Sequence, residues 1–256
     1  MPSWLDLGTT DMAAAESFYS GMFGWEATRE DAGPDMVYSM QRIGGKDVAG
    51  IYDQFPDQKA AGMPPMWLAY ITVDDVDATT ANVGPAGGSV MQEPMDVMDI
   101  GRMSMIADPS GGVVALWQAK GQIGSGLSGE HGTFSWTELI STDPDSARPF
   151  LAEVLGVEIV PMPGAPGGYT MFMVDGAPAG GVMQRPDEMG EVPSHWMNYF
   201  QVDDCDASAA KATELGGAVI VPPFDTGGPG TVAVLQDAQG AVFSIIQLNP
   251  DFNPIG

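Results

Sequence analysis

The chain states one pattern twice. Residues 3–27 read SWLDLGTTDMAAAESFYSGMFGWEA and residues 135–159 read SWTELISTDPDSARPFLAEVLGVEI, aligned without a gap at an offset of 132. The halves match again at WLAYITVDDVDA (67–78) against WMNYFQVDDCDA (196–207), and at DPSGGVVALWQ (108–118) against DAQGAVFSIIQ (237–247). A period near 130 residues is far too long for a solenoid unit, so a whole domain is duplicated. The expected organisation is a first domain over 1–118, a Gly/Ser-rich linker over 119–133 and a second domain over 134–250. Every candidate residue therefore has a counterpart in the same molecule.

Each half opens with a short strand followed at once by a helix. WLDLGTT alternates large and small residues, and Asp11 then stands where a helix N-cap belongs. Ala15, Phe18, Tyr19, Met22 and Phe23 fall at helical spacing, as do Ala147, Phe150, Leu151, Val154 and Leu155. Pro144 sits in the first turn after Asp143, and Gly24 and Gly156 are natural stops. Three strand-like segments follow, with hairpin turns expected at Gly44-Gly45 and Asp175-Gly176. The strand-then-helix pattern restarts at Trp67 and Trp196, and further strands end near Trp117 and Ile246. Each half thus reads as a pair of βαβββ modules, four in the chain.

Composition excludes several function classes. With 34 acidic against 9 basic residues the formal charge is −25, which repels phosphate backbones and anionic lipid, so neither nucleic acid nor membrane is an expected partner. The charge either maintains solubility or steers a cationic ligand. No apolar run approaches membrane-span length, and the opening MPSWLDLGTTD has neither the basic nor the apolar region of a secretory leader. A single cysteine, Cys205, excludes an internal disulfide and reads as a small core residue; a cytoplasmic protein is expected. At 44% hydrophobic residues the chain has enough to bury two cores.

The strand–TxD–helix opening, the WxxYxxVDDxDA restart and the closing DPxG together resemble the vicinal oxygen chelate superfamily, once per half and over nearly the whole chain. That superfamily includes glyoxalase I, bleomycin-resistance proteins, fosfomycin-resistance enzymes and extradiol dioxygenases. The resemblance implies an α+β fold of two tandem domains, each a pair of modules curled around a cleft that holds ligand or metal. Two-domain members with this opening are commonly labelled glyoxalase-like or hydroxylases. Single-domain members often dimerise, and the duplication would imitate that dimer within one chain; a monomer or homodimer is expected.

The resemblance also implies where metal ligands would stand. Those positions hold Trp4, Leu68 and Ala115 in the first half, and Trp136, Met197 and Ser244 in the second. None supplies a good imidazole or carboxylate donor, so no metal and no cofactor is expected. Strand parity instead places Trp4 and Asp6 on one face, with Trp136 and Glu138 on the matching face. Leu68, Tyr70 and Trp117 should share the first cleft, and Met197 and Tyr199 the second. These side chains either fill a closed barrel or line an aromatic pocket with one carboxylate per half. His195 is expected at the surface or the cleft entrance, and His131 in the linker. Met91, Met95, Met98, Met103 and Met105 gather near a cleft rim.

Three functions stay open at this level. One is a metal-independent protein binding an aromatic or cationic small molecule. Another is an enzyme with Asp6 or Glu138 as general acid or base, its pKa raised by its surroundings. The last is hydroxylase, dioxygenase or glyoxalase-type chemistry at a metal held by displaced ligands such as Asp6, Glu138 or His195.

Overall fold

The computed structural model of the chain describes residues 1–33, 36–162 and 164–252. The first half runs β1 (Pro2–Thr9), α1 (Met12–Phe23), β2 (Glu26–Asp31), β3 (Val37–Ile43), β4 (Lys46–Asp53), a short helix α2 (Pro56–Ala60), β5 (Met66–Thr72), α3 (Val76–Ala81), β6 (Ser89–Val97), β7 (Gly101–Ala107) and β8 (Val113–Ala119). The second runs β9 (Phe134–Ser141), α4 (Pro144–Leu155), β10 (Glu158–Pro161), β11 (Thr170–Val174), β12 (Ala177–Gln184), β13 (His195–Gln201), α5 (Cys205–Glu214), β14 (Ala218–Asp225), β15 (Gly230–Gln236) and β16 (Val242–Leu248). All four βαβββ modules are present.

Local chemistry explains the boundaries. Asp11, Asp75, Asp143 and Asp204 each cap a helix by accepting from the third amide of its first turn, at 3.0, 2.9, 3.3 and 2.8 Å. Such caps contribute about 1 kcal/mol each. The hairpins turn at Gly44-Gly45 (φ 55° and 78°) and Asp175-Gly176 (φ 52° and 78°). Both central residues are left-handed there, as the tight turn matching strand twist demands. Helix α3 stops at Ala81, well short of α5's length, because Gly84 and Pro85 stand where α5 has Thr213 and Glu214.

Each half forms one eight-stranded mixed sheet, in the order β2-β3-β4-β1-β5-β8-β7-β6 and β10-β11-β12-β9-β13-β16-β15-β14. The two modules of a half meet at its centre, where β1 runs antiparallel to β5 and β9 antiparallel to β13. The sheets do not close, so the closed-barrel alternative is set aside: β2 and β6 stay edges, as do β10 and β14. Met40 on β3 and Met103 on β7 nonetheless pack against one cluster of side chains drawn from β1, β5 and β8, so the sheet curls about its concave face.

The apolar residues do not divide into one core per half. One contiguous apolar core takes Leu5, Leu7, Phe18 and Trp67 from the first half and Phe150, Trp196, Phe200 and Phe243 from the second. Helix α1 is shared between the halves: the Phe18 and Tyr19 rings meet Phe243 at 6.2 and 5.5 Å, and Phe23 meets Phe200 at 5.2 Å. Polar bonds cross there too. Trp67 Nε1 donates to the Tyr19 hydroxyl (2.9 Å), which donates to Asp237 Oδ2 (3.1 Å), and Asn198 Nδ2 donates to the Trp67 carbonyl (3.2 Å). The repeat breaks at this point, because Leu151 replaces Tyr19 and Trp196 Nε1 is left buried without a partner. Cys205 is fully buried at the start of α5, its thiol pushed up to about 11 by burial and by Asp206 and Asp204. Among the described residues no helix is long and apolar enough to cross a membrane.

Candidate functional site

The concave face of each sheet collects the residues singled out by parity. In the first half, Leu5 and Leu7 point into the shared core, while Trp4 packs with Leu68, Tyr70, Ala115 and Trp117 in a separate buried cluster. Register brings them together: Asp6 lies opposite Leu68, Trp4 opposite Tyr70, and Tyr70 beside Ala115. In the second half Glu138 lies opposite Met197, Trp136 opposite Tyr199, and Tyr199 beside Ser244. His195 starts β13 opposite Ile140 and is partly exposed, its Nδ1 2.8 Å from the Pro193 carbonyl. His131 lies between the halves, near the Met22 carbonyl and Asp203.

The carboxylates are not bare. Asp6 Oδ1 accepts from Trp4 Nε1 (2.7 Å) and from the Tyr38 hydroxyl, and Trp4 Nε1 also reaches the Tyr38 oxygen at 2.9 Å. Glu138 accepts from the Tyr169 hydroxyl on Oε2 (2.8 Å) and from the Tyr199 hydroxyl on Oε1 (2.5 Å). Trp136 Nε1 donates to Tyr169 at 2.9 Å. Both halves therefore gather one indole, one carboxylate and two phenols, Tyr38 and Tyr70 in the first and Tyr169 and Tyr199 in the second, with one difference: Trp4 donates to its carboxylate, whereas Trp136 donates to Tyr169. Phenolic donors answer the question parity left open, namely what an inward carboxylate meets.

Tyr38 and Tyr169 are absent from the sequence-based candidates, as are the glycines that admit them. Gly50 pairs with Asp6 across β1 and β4, and a Cβ there would collide with the Tyr38 ring and Asp6 Oδ1. Gly181 pairs with Glu138, and a Cβ there would collide with the Tyr169 hydroxyl. The signal was available: Tyr38/Tyr169 and Gly50/Gly181 both repeat at an offset of 131.

Burial pushes Asp6 above the ordinary carboxylate range, opposed by bonds from Tyr38, Tyr70 and Trp4; it pushes Glu138 up likewise, opposed by Tyr199 and Tyr169. The phenols Tyr38, Tyr70, Tyr169 and Tyr199 are driven well above their usual value by burial and then by the adjacent carboxylate, so they stay donors. Tyr52, stacked over Gly8, is pushed up to about 12 by burial and by Asp6.

A carboxyl whose folded-state pKa lies above its unfolded value binds its proton more tightly in the folded state. Its contribution is greatest while protonated and is lost as pH rises from the ordinary value to the raised one. The Glu138→Gln variant cannot lose that contribution. Its stability relative to wild type is expected to grow as pH rises from about 4 toward neutrality, measured by urea midpoints at successive pH values. A difference that shrinks over that range would show that Glu138 is depressed instead.

The donor set does not fit a metal. The converging positions offer indole, aliphatic and methyl groups in the first half, and indole, thioether and hydroxyl in the second. Among the described residues no three His, Cys, Asp or Glu side chains gather. The displaced set fails equally, since Asp6 and Glu138 each lie in a different cleft among phenols. A concavity of about 1140 Å³ beside Met12, Arg29, Asp53 and Phe55 lies outside both clefts. Arg29 there is already paired with Glu16; Gln54, also in the lining, is buried, its Nε2 donating to the Met63 and Pro64 carbonyls while its Oε1 is without a partner.

Residues 2–116 match the Glyoxalase/Bleomycin resistance protein/Dioxygenase superfamily, and residues 137–246 match the Glyoxalase-like domain. The chain belongs to this superfamily. It is 46% identical over 251 residues to "Putative glyoxylase CFP32" of Mycobacterium tuberculosis, covering 97% of this chain and 95% of that protein. It is 37% identical over 265 residues to "Anthracycline biosynthesis protein DnrV" of Streptomyces peucetius, covering 98% and 94%. Among solved structures, the Mn(II)-bound glyoxalase from Novosphingobium aromaticivorans superposes with a TM-score of 0.67 at 16% identity, covering 100% of this chain and 84% of that one. The 2,3-dioxygenase LapB from Pseudomonas sp. KL28 gives 0.65 at 16%, covering 99% and 95%. At that identity the two structures attest the glyoxalase/dioxygenase fold and nothing finer.

Proposed function

We propose that this chain is a metal-independent member of the superfamily that binds a small planar aromatic molecule, cationic ones preferred. The observation that carries this reading is the repeated cluster: on the concave face of each sheet, both halves gather an indole, a buried carboxylate and two phenols. An indole face offers stacking and cation–π attraction, about 0.5–2 kcal/mol. An anion meeting a carboxylate at 4–6 Å faces repulsion of about 3–4 kcal/mol at an effective dielectric near 20, and the charge of −25 adds to it at longer range. Relatives at 37% identity carry the name anthracycline biosynthesis protein, which is in keeping with a small-molecule ligand.

Tryptophan-fluorescence titration tests this with the planar cation proflavine, neutral naphthol and anionic naphthalene disulfonate. Binding is expected in that order. Trp136→Ala weakens both proflavine and naphthol, whereas Glu138→Gln weakens proflavine more than naphthol. Tightest binding of the disulfonate would reduce the surface charge to a solubility device and overturn the reading.

A second reading is supported by the raised carboxylates beside protonated phenols: Asp6 or Glu138 acting as general acid or base on a bound aromatic. Turnover of a bound compound, lost in Glu138→Gln with binding retained, would favour it.

A further inference from the structure

Five of the 18 methionines fall within residues 91–105, and neither the fold nor the proposed ligand site calls for sulfur there. Met91, Met95 and Met98 lie on β6 and in the turn after it, and are 58%, 46% and 55% exposed. β6 is an edge strand, so no further strand covers it on its outer side. Met91 stands in the bulge between the pairs Val90–Ile106 and Gln92–Met105, and Met98 is held in the left-handed region at φ 47°.

Behind them sulfur meets indole. The register sets Met95 opposite Met103 on β7, and Met103 opposite Trp117 on β8, one row across three adjacent strands. Directly opposed side chains have Cβ atoms about 4.5–5.5 Å apart, close enough to touch. Met103 and Met105 are half-buried and pack against the cluster of Trp4, Leu68, Tyr70, Ala115 and Trp117. The row thus grades from the exposed thioether of Met95, through that of Met103, to a Trp117 side chain that is buried.

The second half shows that packing at these places does not require sulfur. β14 and β15 pair in the same way, Val221 opposite Val234 and Phe224 opposite Val232. Ile220, Phe224, Gly227, Val232 and Val234 stand where the first half has Met91, Met95, Met98, Met103 and Met105, and Ile246 stands where it has Trp117. None of these places keeps a sulfur, and the thioethers and the indole are absent together. What a thioether adds to an apolar side chain is two-electron oxidation that enzymes can reverse.

We propose that Met91, Met95 and Met98 form a reversible oxidation site, an outer guard that takes up hypohalous acid before it reaches Met103 and the indole behind it. This goes beyond the ligand reading and does not depend on it. In each event the thioether sulfur displaces hydroxide from hypochlorous acid and takes the chlorine; water then adds at sulfur as chloride leaves. Sulfur is oxidised by two electrons to the sulfoxide, chlorine is reduced to chloride, and one proton is released. On the exposed methionines the polar S=O stays in water, within reach of methionine sulfoxide reductases. On Met103 it would enter the apolar cluster, where a polar group without a partner is costly.

The full chain is treated with hypochlorite in small steps, and each methionine and tryptophan is followed by peptide mass spectrometry. Sulfoxide is expected at Met91, Met95 and Met98 before Met103, Met105 or Trp117 reacts, with the urea midpoint unchanged until Met103 does. The two methionine sulfoxide reductases, one for each sulfur epimer, should then return all three to the thioether. Met91→Leu, Met95→Leu and Met98→Leu combined keep side-chain size and should lower the dose that half-oxidises Met103 roughly two- to threefold. Met63→Leu with Met66→Leu removes two thioethers of 42% and 40% exposure, Met66 lying at the other end of β5 from Thr72, which pairs with Trp117. That pair should leave the Met103 dose unchanged. If the triple variant fails to fold, Met95→Leu and the wild-type order decide alone. Oxidation of Met103 ahead of the three, or equal sensitisation by both sets of variants, overturns the inference; the latter would make the three methionines bulk scavengers only.

Discussion

Adding one methyl at Gly50 is expected to lower stability by about 2–4 kcal/mol, read as a shift in urea midpoint with an unchanged denaturant slope. The backbone of Gly50 is not left-handed, so alanine costs nothing in conformation. The whole effect comes from space: the new Cβ collides with the Tyr38 ring and Asp6 Oδ1, which lie against that glycine. Either Tyr38 leaves, stripping the buried carboxylate of a donor, or β4 shifts away from β1. A double-mutant cycle tells which contact sets the cost. If it is Tyr38, Gly50→Ala should cost much less in a Tyr38→Ala background, because the collision partner is gone. Additive losses would mean that the contact with Asp6 Oδ1 sets it instead. Gly181→Ala should repeat the result against Tyr169 in the second half.

Tyr19→Ala should cost about 3–5 kcal/mol, and Tyr19→Phe about 1–3 kcal/mol. Tyr19 is fully buried among Phe18, Phe23, Trp25, Trp67 and Phe243. Its hydroxyl takes the Trp67 indole proton and donates to Asp237, tying the halves together. Phenylalanine keeps the packing but leaves the Trp67 N–H without an acceptor, while alanine also opens a cavity between the halves. Calorimetry should show one cooperative transition for wild type and Tyr19→Phe. The alanine variant should broaden or split it as the halves uncouple. A Tyr19→Phe protein as stable as wild type would show that the bridge contributes nothing beyond packing.

Much of the architecture was legible because it depends on neighbours in sequence. The Asp caps, the paired turn residues and the apolar stripes of α1 and α4 each act within a few residues. The parity of β1 was equally readable, since alternation along a strand needs no partner to define it; it separates Leu5 and Leu7 from Trp4 and Asp6. Register and mutual packing are what neighbours in sequence do not define: 44% hydrophobic residues is enough for two cores, but only the structure shows α1 lying against both sheets and joining them.

By itself, then, the sequence determined the duplication, the four modules, the face on which each β1 and β9 side chain lies, and the lack of metal-binding donors at the familiar positions. Only the tertiary structure decided that Tyr38 and Tyr169 supply the donors for Asp6 and Glu138, because those bonds span 32 and 31 residues and depend on which glycine lies opposite. It also decided how Trp117 is held. Trp117 and Ile246 occupy equivalent places in the repeat, and only packing against Gly101, Tyr70 and Trp4 shows how the larger ring is accommodated. Periodicity assigns a side chain to a face, but the volume left on that face depends on all the strands that share it.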